Sequence, residues 1–463
     1  MSQDLVCISP IDGVEIARRA SLSDAALQTK IQKANEAQMA WQLTSIEERA
    51  GYCLKAVDAM LAMTDQIVPE LSRSMGRPVR YGAGEMNGFK ERALYMIDAA
   101  KEALAPHRPK PVEGFDRYIK RVPLGTVMTV APWNYPYLTT VNSVVPALMA
   151  GNAVMLKPAQ QTLLTGDRFQ MAFDAAGLPE GLFQTLALTH DQTGELIGSG
   201  AVDMVCFTGS VNGGVAMENA AAGQFIPVGL ELGGKDAAYV RADADIAMSV
   251  ENLVDGAFFN SGQSCCGIER IYVHESQYDA FVRRFVEGTK AYVLGDPMDD
   301  ATTLGPMINA HSAAFARKQV EDAIAAGAVA HVDAGHFPKD EVGSQYMAPQ
   351  VLTNVDHSMS VMKDESFAPI VGIMPVASDD EAIALMNDSE FGLTASIWTQ
   401  DQTAAEMLGD KLEVGTVFMN RCDYLDPALA WTGVKNTGRG CTLSALGYEQ
   451  LTRLKSYHLK VSQ

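Results

Sequence analysis

The stretch Gly125–Lys157, GTVMTVAPWNYPYLTTVNSVVPALMAGNAVMLK, decides the fold. Gly125–Ala131 is a short β-rich apolar run ended by Pro132. Leu138–Ala150 reads as a buried helix with Gly151 as its stop. Asn152–Lys157 is a second apolar strand, and a polar turn and a helix near Gly166–Ala176 follow it. Met204–Phe207 and Pro227–Leu232 repeat the strand pattern. Strands alternating with helices predict an α/β fold with a parallel, doubly wound sheet. Ligands of such sheets bind beyond the C-terminal ends of the strands, so the polar motifs that follow each strand are the places to search.

Upstream, Ser21–Leu43 opens with Ser and Asp and carries no Gly or Pro, which predicts a capped helix, and Gly51–Met75 reads the same way. From about Lys235 a second series begins. Its strands are predicted at Arg270–Val273, Pro349–Val355, Ile370–Val376, Ala395–Thr399 and Thr416–Asn420. Ser378–Asn387 is a helix with a capping-box start, Ser378 followed by Glu381. The paired glycines Gly233–Gly234 mark the boundary between halves of similar size, with a cleft between them.

Composition narrows the function classes. The 463 residues exceed one ordinary core. Asp and Glu (56) outnumber Lys and Arg (36), giving a formal charge of −20, which repels nucleic acid and anionic membrane alike. The seven cysteines (7, 53, 206, 265, 266, 422 and 441) lack the repeated close spacings of disulfide frameworks or zinc sites, so no metal is expected and a reducing compartment is. No signal-peptide pattern opens the sequence and no apolar run is long enough to span a bilayer, so a cytoplasmic location is the expectation.

Six motifs carry chemistry. Phe258–Gly267, FFNSGQSCCG, sets a cysteine after a polar, glycine-containing turn, where a nucleophilic thiol could face a cleft. Leu230–Lys235, LELGGK, puts Glu231 between two leucines at a strand end, where apolar surroundings raise a carboxylate's pKa toward that of a working base. Pro132–Pro136, PWNYP, holds Asn134 rigidly between prolines as an amide donor for an oxyanion. Phe207–Gly214, FTGSVNGG, lets backbone N–H groups approach phosphate at a helix start. Asn152–Gln161, NAVMLKPAQQ, brings Lys157 to the cleft edge, and Asp364–Pro369, DESFAP, offers carboxylates beside an aromatic ring. Each motif alone also reads as ordinary structure: a buried cysteine, a salt-bridged glutamate, a turn or a solvated lysine.

In this order the motifs resemble the aldehyde dehydrogenase superfamily over essentially the whole chain, most specifically through LELGGK followed by FxxxGQxC. The resemblance implies a Rossmann-like cofactor domain (1–114 and 125–233), an α/β catalytic domain (234–440) and a small β oligomerisation arm (115–124 and 441–463). The arm would consist of a hairpin near Phe115–Leu124 and the tail near Gln450–Ser462, which would join a neighbouring subunit's sheet in a homodimer or homotetramer. It implies Cys265 as nucleophile, Glu231 as general base, and Asn134 with the Cys265 backbone N–H as oxyanion hole. Cofactor contacts would come from Pro132, Trp133, Lys157, Gln160, Gly209, Ser210, Gly214, Leu232, Glu365 and Phe367. The substrate tunnel would be lined by Tyr135, Leu138, Thr139, Asn142, Phe259, Ser264, Cys266 and Arg421.

The implied reaction is oxidation of an aldehyde to its acid with NAD, NADP being left open. It would run through a thiohemiacetal and a thioester on Cys265. Gln160 stands where many NAD-using members carry Glu, Ala368 replaces a frequent Gly, and Trp431–Thr432 replaces a common Phe-Gly. Arg421 could pair with a distal carboxylate or sulfonate of the substrate, or bond loop carbonyls. A CoA-acylating semialdehyde dehydrogenase and a non-catalytic binding protein on the same scaffold are the alternatives; the presence of Cys265 and Glu231 counts against them.

Overall fold

The computed structural model describes residues 3–461. Ser462, the expected end of the tail, and the outermost residues of the assigned ranges 1–114 and 441–463 lie outside them.

The N-terminal helices pack on the first sheet. Ser23 caps Asp24–Trp41, its hydroxyl accepting from the Ala26 N–H, and the Trp41 indole donates to the Leu148 carbonyl at 2.9 Å. The helix expected over Gly51–Met75 is two helices, Ile46–Leu61 and Thr64–Met75. The Thr64 hydroxyl donates to the Leu61 carbonyl at the break, and the turn lets buried Met60 and Ile67 face one core.

The first sheet orders its strands Gly438–Arg439, Val228–Glu231, Met204–Thr208, Thr126–Val130, Ala153–Lys157 and Phe183–Thr185. All pair in parallel except Gly438–Arg439, which runs antiparallel to Val228–Glu231. Chain order reverses between Thr126–Val130 and its neighbour Met204–Thr208, so a crevice opens at their C-terminal ends.

After Glu231 the chain crosses to a second sheet, ordered Val329–Ala330, Gln350–Thr353, Ile370–Val376, Ile268–His274, Asp236–Val240, Thr394–Trp398 and Thr416–Met419. Here the two-residue period of a strand is visible: Ala237 and Tyr239 enter one core, Ala238 and Val240 the core on the opposite face. Ser378 caps the helix Asp379–Asn387 as expected, but the Glu381 carboxylate reaches the Ala377 N–H instead of that of the cap residue.

Two features differ from the sequence reading. The chain returns to the first half before its end: Gly438–Arg439 joins the first sheet, and Trp431, Leu443, Tyr448 and Leu451 pack in the first core. The sequence reading kept 234–440 together because short strands carry no mark of the sheet they join. The expected hairpin near Phe115–Leu124 is a single strand, Phe115–Pro123, paired antiparallel with Thr452–Lys460, with Tyr118 stacked on Tyr457 at 4.6 Å. The alternating pattern of each segment specifies a strand but not its partner. Among the described residues no helix is long and apolar enough to cross a membrane.

Candidate active site

A cavity of about 720 Å³ occupies the crevice at the strand ends. Four strand ends of the first sheet supply Val130–Tyr135, Lys157, Thr208–Ser210 and Glu231–Gly233, while Cys265, Glu365 and Phe367 enter from the second half. The sequence motifs, far apart in the chain, thus meet on one surface.

The cysteine reaches the cavity on an unusual loop. Asn260, Ser261 and Gly262 all have left-handed backbone, with φ of 53°, 58° and 69°. Three such residues in succession are held only where the surroundings dictate them. Gln263 supplies that constraint: its amide donates to the Asn260 carbonyl at 3.0 Å, and its Oε1 accepts from the Ile308 N–H at 2.8 Å. A side chain at Gly262 would place its Cβ 2.1 Å from the Ala368 carbonyl oxygen. Cys265 is half-buried and lines the cavity, whereas Cys266 is buried and bonds the Asp423 carboxylate at 3.0 Å. The bond to Cys265, burial and the Asp423 charge all raise the Cys266 thiol's pKa, so Cys266 stays protonated.

Asn134 is buried and lines the same cavity, its amide donating to the Gln263 carbonyl at 3.1 Å, two residues before Cys265. Glu231 shows a strip of surface to the cavity, but protein encloses its carboxylate and burial raises its pKa. The Thr208 hydroxyl donates to it at 3.1 Å and Thr442 bonds its other oxygen. A small cavity of about 20 Å³ that Glu231 also lines, with Thr139, Asn142, Cys441 and Gln450, has room for one water. Glu365 accepts from the Gly234 N–H at 3.0 Å, and burial with Glu269 nearby pushes its pKa up to about 7.

Of the expected cofactor residues, all but Gly214 line the cavity; Gly214 packs beneath Leu232. Trp133 and Phe367 meet edge to face at 5.7 Å. Lys157 is buried, and its ammonium has no acceptor among the described residues. Ser210 caps the helix Val211–Ala221, whose N-terminus opens on the cavity. An unpaired buried cation beside a helix N-terminus fits the phosphates and ribose of a dinucleotide. Gln160 donates to the Val6 carbonyl at 3.1 Å and adds no charge.

The expected substrate residues divide. Tyr135 and Thr139 line the main cavity. Asn142 faces the small one, and Phe259 packs on Tyr81 at 5.1 Å. Ser264 bonds Asp423 at 3.1 Å, and the Leu138 carbonyl accepts from Arg92 at 2.7 Å. Arg421 is exposed and lies on the Tyr424 ring at 3.4 Å, outside the cavity lining. Its charge is satisfied by solvent and the ring face instead of the site.

Sequence reasoning missed the charged residues that support the turns. Buried Arg77 pairs with buried Glu85, bonds the Asn134 carbonyl and lies over the Tyr135 ring at 4.4 Å; Glu85 accepts the Tyr137 N–H at 2.8 Å. Together they fix the PWNYP turn. Lys235 pairs with Glu269, which accepts the Ser366 and Phe367 N–H groups at 2.8 and 2.9 Å and so holds the DESFAP loop. A signal existed: Glu85 and Arg92 share the buried stripe of the helix Val79–Ala103 with Met86, Phe89 and Met96, and buried charges need partners.

A model of the aldehyde dehydrogenase family matches residues 1–457, and the chain belongs to that family. It is an NAD(P)-dependent oxidoreductase acting on aldehydes. An aldehyde dehydrogenase of Paenarthrobacter nicotinovorans is 35% identical over 98% of this chain and 99% of its own length. An NADP-dependent succinate-semialdehyde dehydrogenase of Mycolicibacterium paratuberculosis is 32% identical over 98% and 96%. Among solved structures, the NADP-dependent glyceraldehyde-3-phosphate dehydrogenase of Bacillus halodurans superimposes with a TM-score of 0.93 at 30% identity, covering 99% and 96% of the two chains.

Proposed function

We propose that this chain oxidises a short ω-oxo acid, a semialdehyde, to the dicarboxylate, with Cys265 as nucleophile, Glu231 as general base and Asn134 as oxyanion donor. The observation that supports the roles most directly is that these three residues line one cavity. The Cys265 thiolate adds to the aldehyde carbon and gives a thiohemiacetal. The oxyanion is stabilised by the Asn134 amide and the Cys265 N–H. NAD(P), when bound, would supply the hydride acceptor that oxidation of the thiohemiacetal to a thioester requires. Lys157, Ser210 and Glu365 would hold it, with Trp133 and Phe367 walling its nicotinamide end. Glu231 then takes a proton from the water that attacks the thioester, and its buried carboxylate, raised in pKa, is suited to that step.

The semialdehyde class rests on the similarity to succinate-semialdehyde dehydrogenases and on the polar character of Thr139 and Asn142. The neutral Gln160 neither grips a ribose 2′-hydroxyl as firmly as a carboxylate nor repels a 2′-phosphate, so both dinucleotides fit. Pairing of the arm strands between protomers would make a homodimer or homotetramer, and the enzyme would act in the cytoplasm. Reduced cofactor formation, followed by absorbance across aldehydes with NAD and with NADP, tests the reading. Turnover of neutral aldehydes alone would refute the semialdehyde assignment, and dependence of turnover on CoA would refute hydrolysis.

A further inference from the structure

Asn134 and Cys265 enter the cavity from different halves of the chain, so an oxyanion hole built from both needs a tie between the turns that carry them. The structure contains one, a closed ring of hydrogen bonds. Arg77 Nη2 donates to the Asn134 carbonyl, and Arg77 Nε donates to the Asn260 side-chain oxygen at 3.2 Å. The Asn260 side-chain nitrogen donates to the Gln263 carbonyl at 3.2 Å. The Asn134 side-chain nitrogen donates to the same carbonyl at 3.1 Å and closes the ring. All four residues are buried, and Gln263 stands two positions before Cys265.

Chemistry fixes the direction of every bond in the ring. A guanidinium can only donate, and a backbone carbonyl can only accept. Asn260 therefore turns its oxygen to Arg77 and its NH2 group to Gln263. Asn134 likewise turns its NH2 group, and not its oxygen, toward the Gln263 carbonyl. One hydrogen of that group goes to Gln263. The other has no acceptor among the described residues, and Asn134 lines the cavity together with Cys265.

The ring depends on the shape of arginine as well as its charge. The Nε and Nη2 hydrogens form one edge of a rigid planar fork and reach both partners at once, while Nη1 pairs with buried Glu85. Glu85 accepts the Tyr137 N–H at 2.8 Å, and the guanidinium lies over the Tyr135 ring at 4.4 Å, so Arg77 is itself held in place. A lysine would keep a cation for Glu85 but could not hold both partners in one plane. Arg77 is not part of the cavity wall, so it can act on the reaction only through the residues it holds.

We propose that Arg77 is a positioning residue for the oxyanion hole: through Asn260 and the Gln263 carbonyl it orients the Asn134 carboxamide so that the second N–H faces the oxyanion that forms when Cys265 attacks. This rests on the oxyanion role given to Asn134 above and adds the residue that sets its geometry. A donor fixed before the reaction stabilises the developing charge without reorganising, which is where such a hole gains its effect.

The test follows two reactions of Cys265 in the full-length protein, each adduct located by mass spectrometry. Acylation by 4-nitrophenyl acetate passes through a tetrahedral oxyanion, whereas alkylation by iodoacetamide does not, and neither needs an aldehyde or a dinucleotide. The acylation-to-alkylation rate ratio is compared in the wild type, Asn134→Ala, Arg77→Lys and the double variant. Asn134→Ala should lower the ratio about 10²-fold. Arg77→Lys should lower it about tenfold, and the double variant should be no worse than Asn134→Ala alone. If Arg77→Lys slows both reactions alike or leaves the ratio unchanged, or if the two effects multiply in the double variant, the positioning role is overturned while that of Asn134 stands. An unchanged ratio in Asn134→Ala removes the oxyanion role itself and the proposal with it. Should Arg77→Lys fail to fold, Asn260→Asp takes its place in the same comparison, because it still accepts from Arg77 but cannot donate to the Gln263 carbonyl.

Discussion

Gly234 lies so close to the loop that carries Cys265 that a Cβ on it would sit 2.2 Å from the Cys265 carbonyl oxygen. The two most specific motifs of the sequence, LELGGK and FFNSGQSCCG, are therefore in van der Waals contact through a glycine that cannot be enlarged. Gly234→Ala should displace the loop, reduce kcat at least tenfold and lower thermal stability by about 2 kcal/mol, read from melting curves and steady-state rates on one preparation.

The paired cysteines should behave oppositely. Cys265→Ala should abolish turnover, a fall of about 10³-fold or more. Cys266→Ser should retain most of it, because Cys266 is buried and held protonated against Asp423. Mass spectrometry of enzyme quenched during turnover should find the acyl adduct on Cys265; an adduct on Cys266 would reverse the assignment.

Glu231→Gln should separate the two half-reactions. The first turnover of reduced cofactor should survive as a burst, and the steady state should fall roughly 10²–10⁴-fold as thioester hydrolysis stalls. A general base works deprotonated and burial raises the Glu231 pKa, so with Glu231 in that role the acid limb of kcat should lie above the usual carboxylate range. That limb should vanish from the variant's pH profile.

Glu365 links the site to stability. Its pKa rises from an ordinary 4.5 to about 7 on folding. The folded chain therefore binds more protons than the unfolded one between those values, and stability falls as pH rises through that window. Glu365→Gln should remove this loss. The variant should match the wild type near pH 4.5 and exceed it by up to roughly 3 kcal/mol above pH 7, measured by denaturant midpoints at both pH values. A pH-independent difference would rule the mechanism out.

Arg421, exposed on the Tyr424 ring, should be dispensable. Arg421→Ala should change kcat/KM by less than about twofold on semialdehydes and neutral aldehydes alike. A selective loss on semialdehydes would show that Arg421 holds a substrate anion.

Much of this was legible in one dimension. Runs such as GTVMTVA and NAVMLK specify buried strands, and the helices between them force a doubly wound sheet. Polar motifs at strand ends then fall at the crevice because of how such sheets close, which is how Glu231, Lys157, Asn134 and Cys265 could be singled out by position. Local pattern sets local conformation, and the sequence alone determined those elements and the family they resemble.

What only the tertiary structure decided depends on partners distant in the chain. The tail strand found Phe115–Pro123, Gly438–Arg439 returned to the first sheet, and Arg77 met Glu85 beneath the PWNYP turn. Arg421, exposed on the Tyr424 ring, turned to solvent. A strand edge or a buried charge is satisfied by whichever group the fold brings to it, and that choice is made by packing of the whole chain.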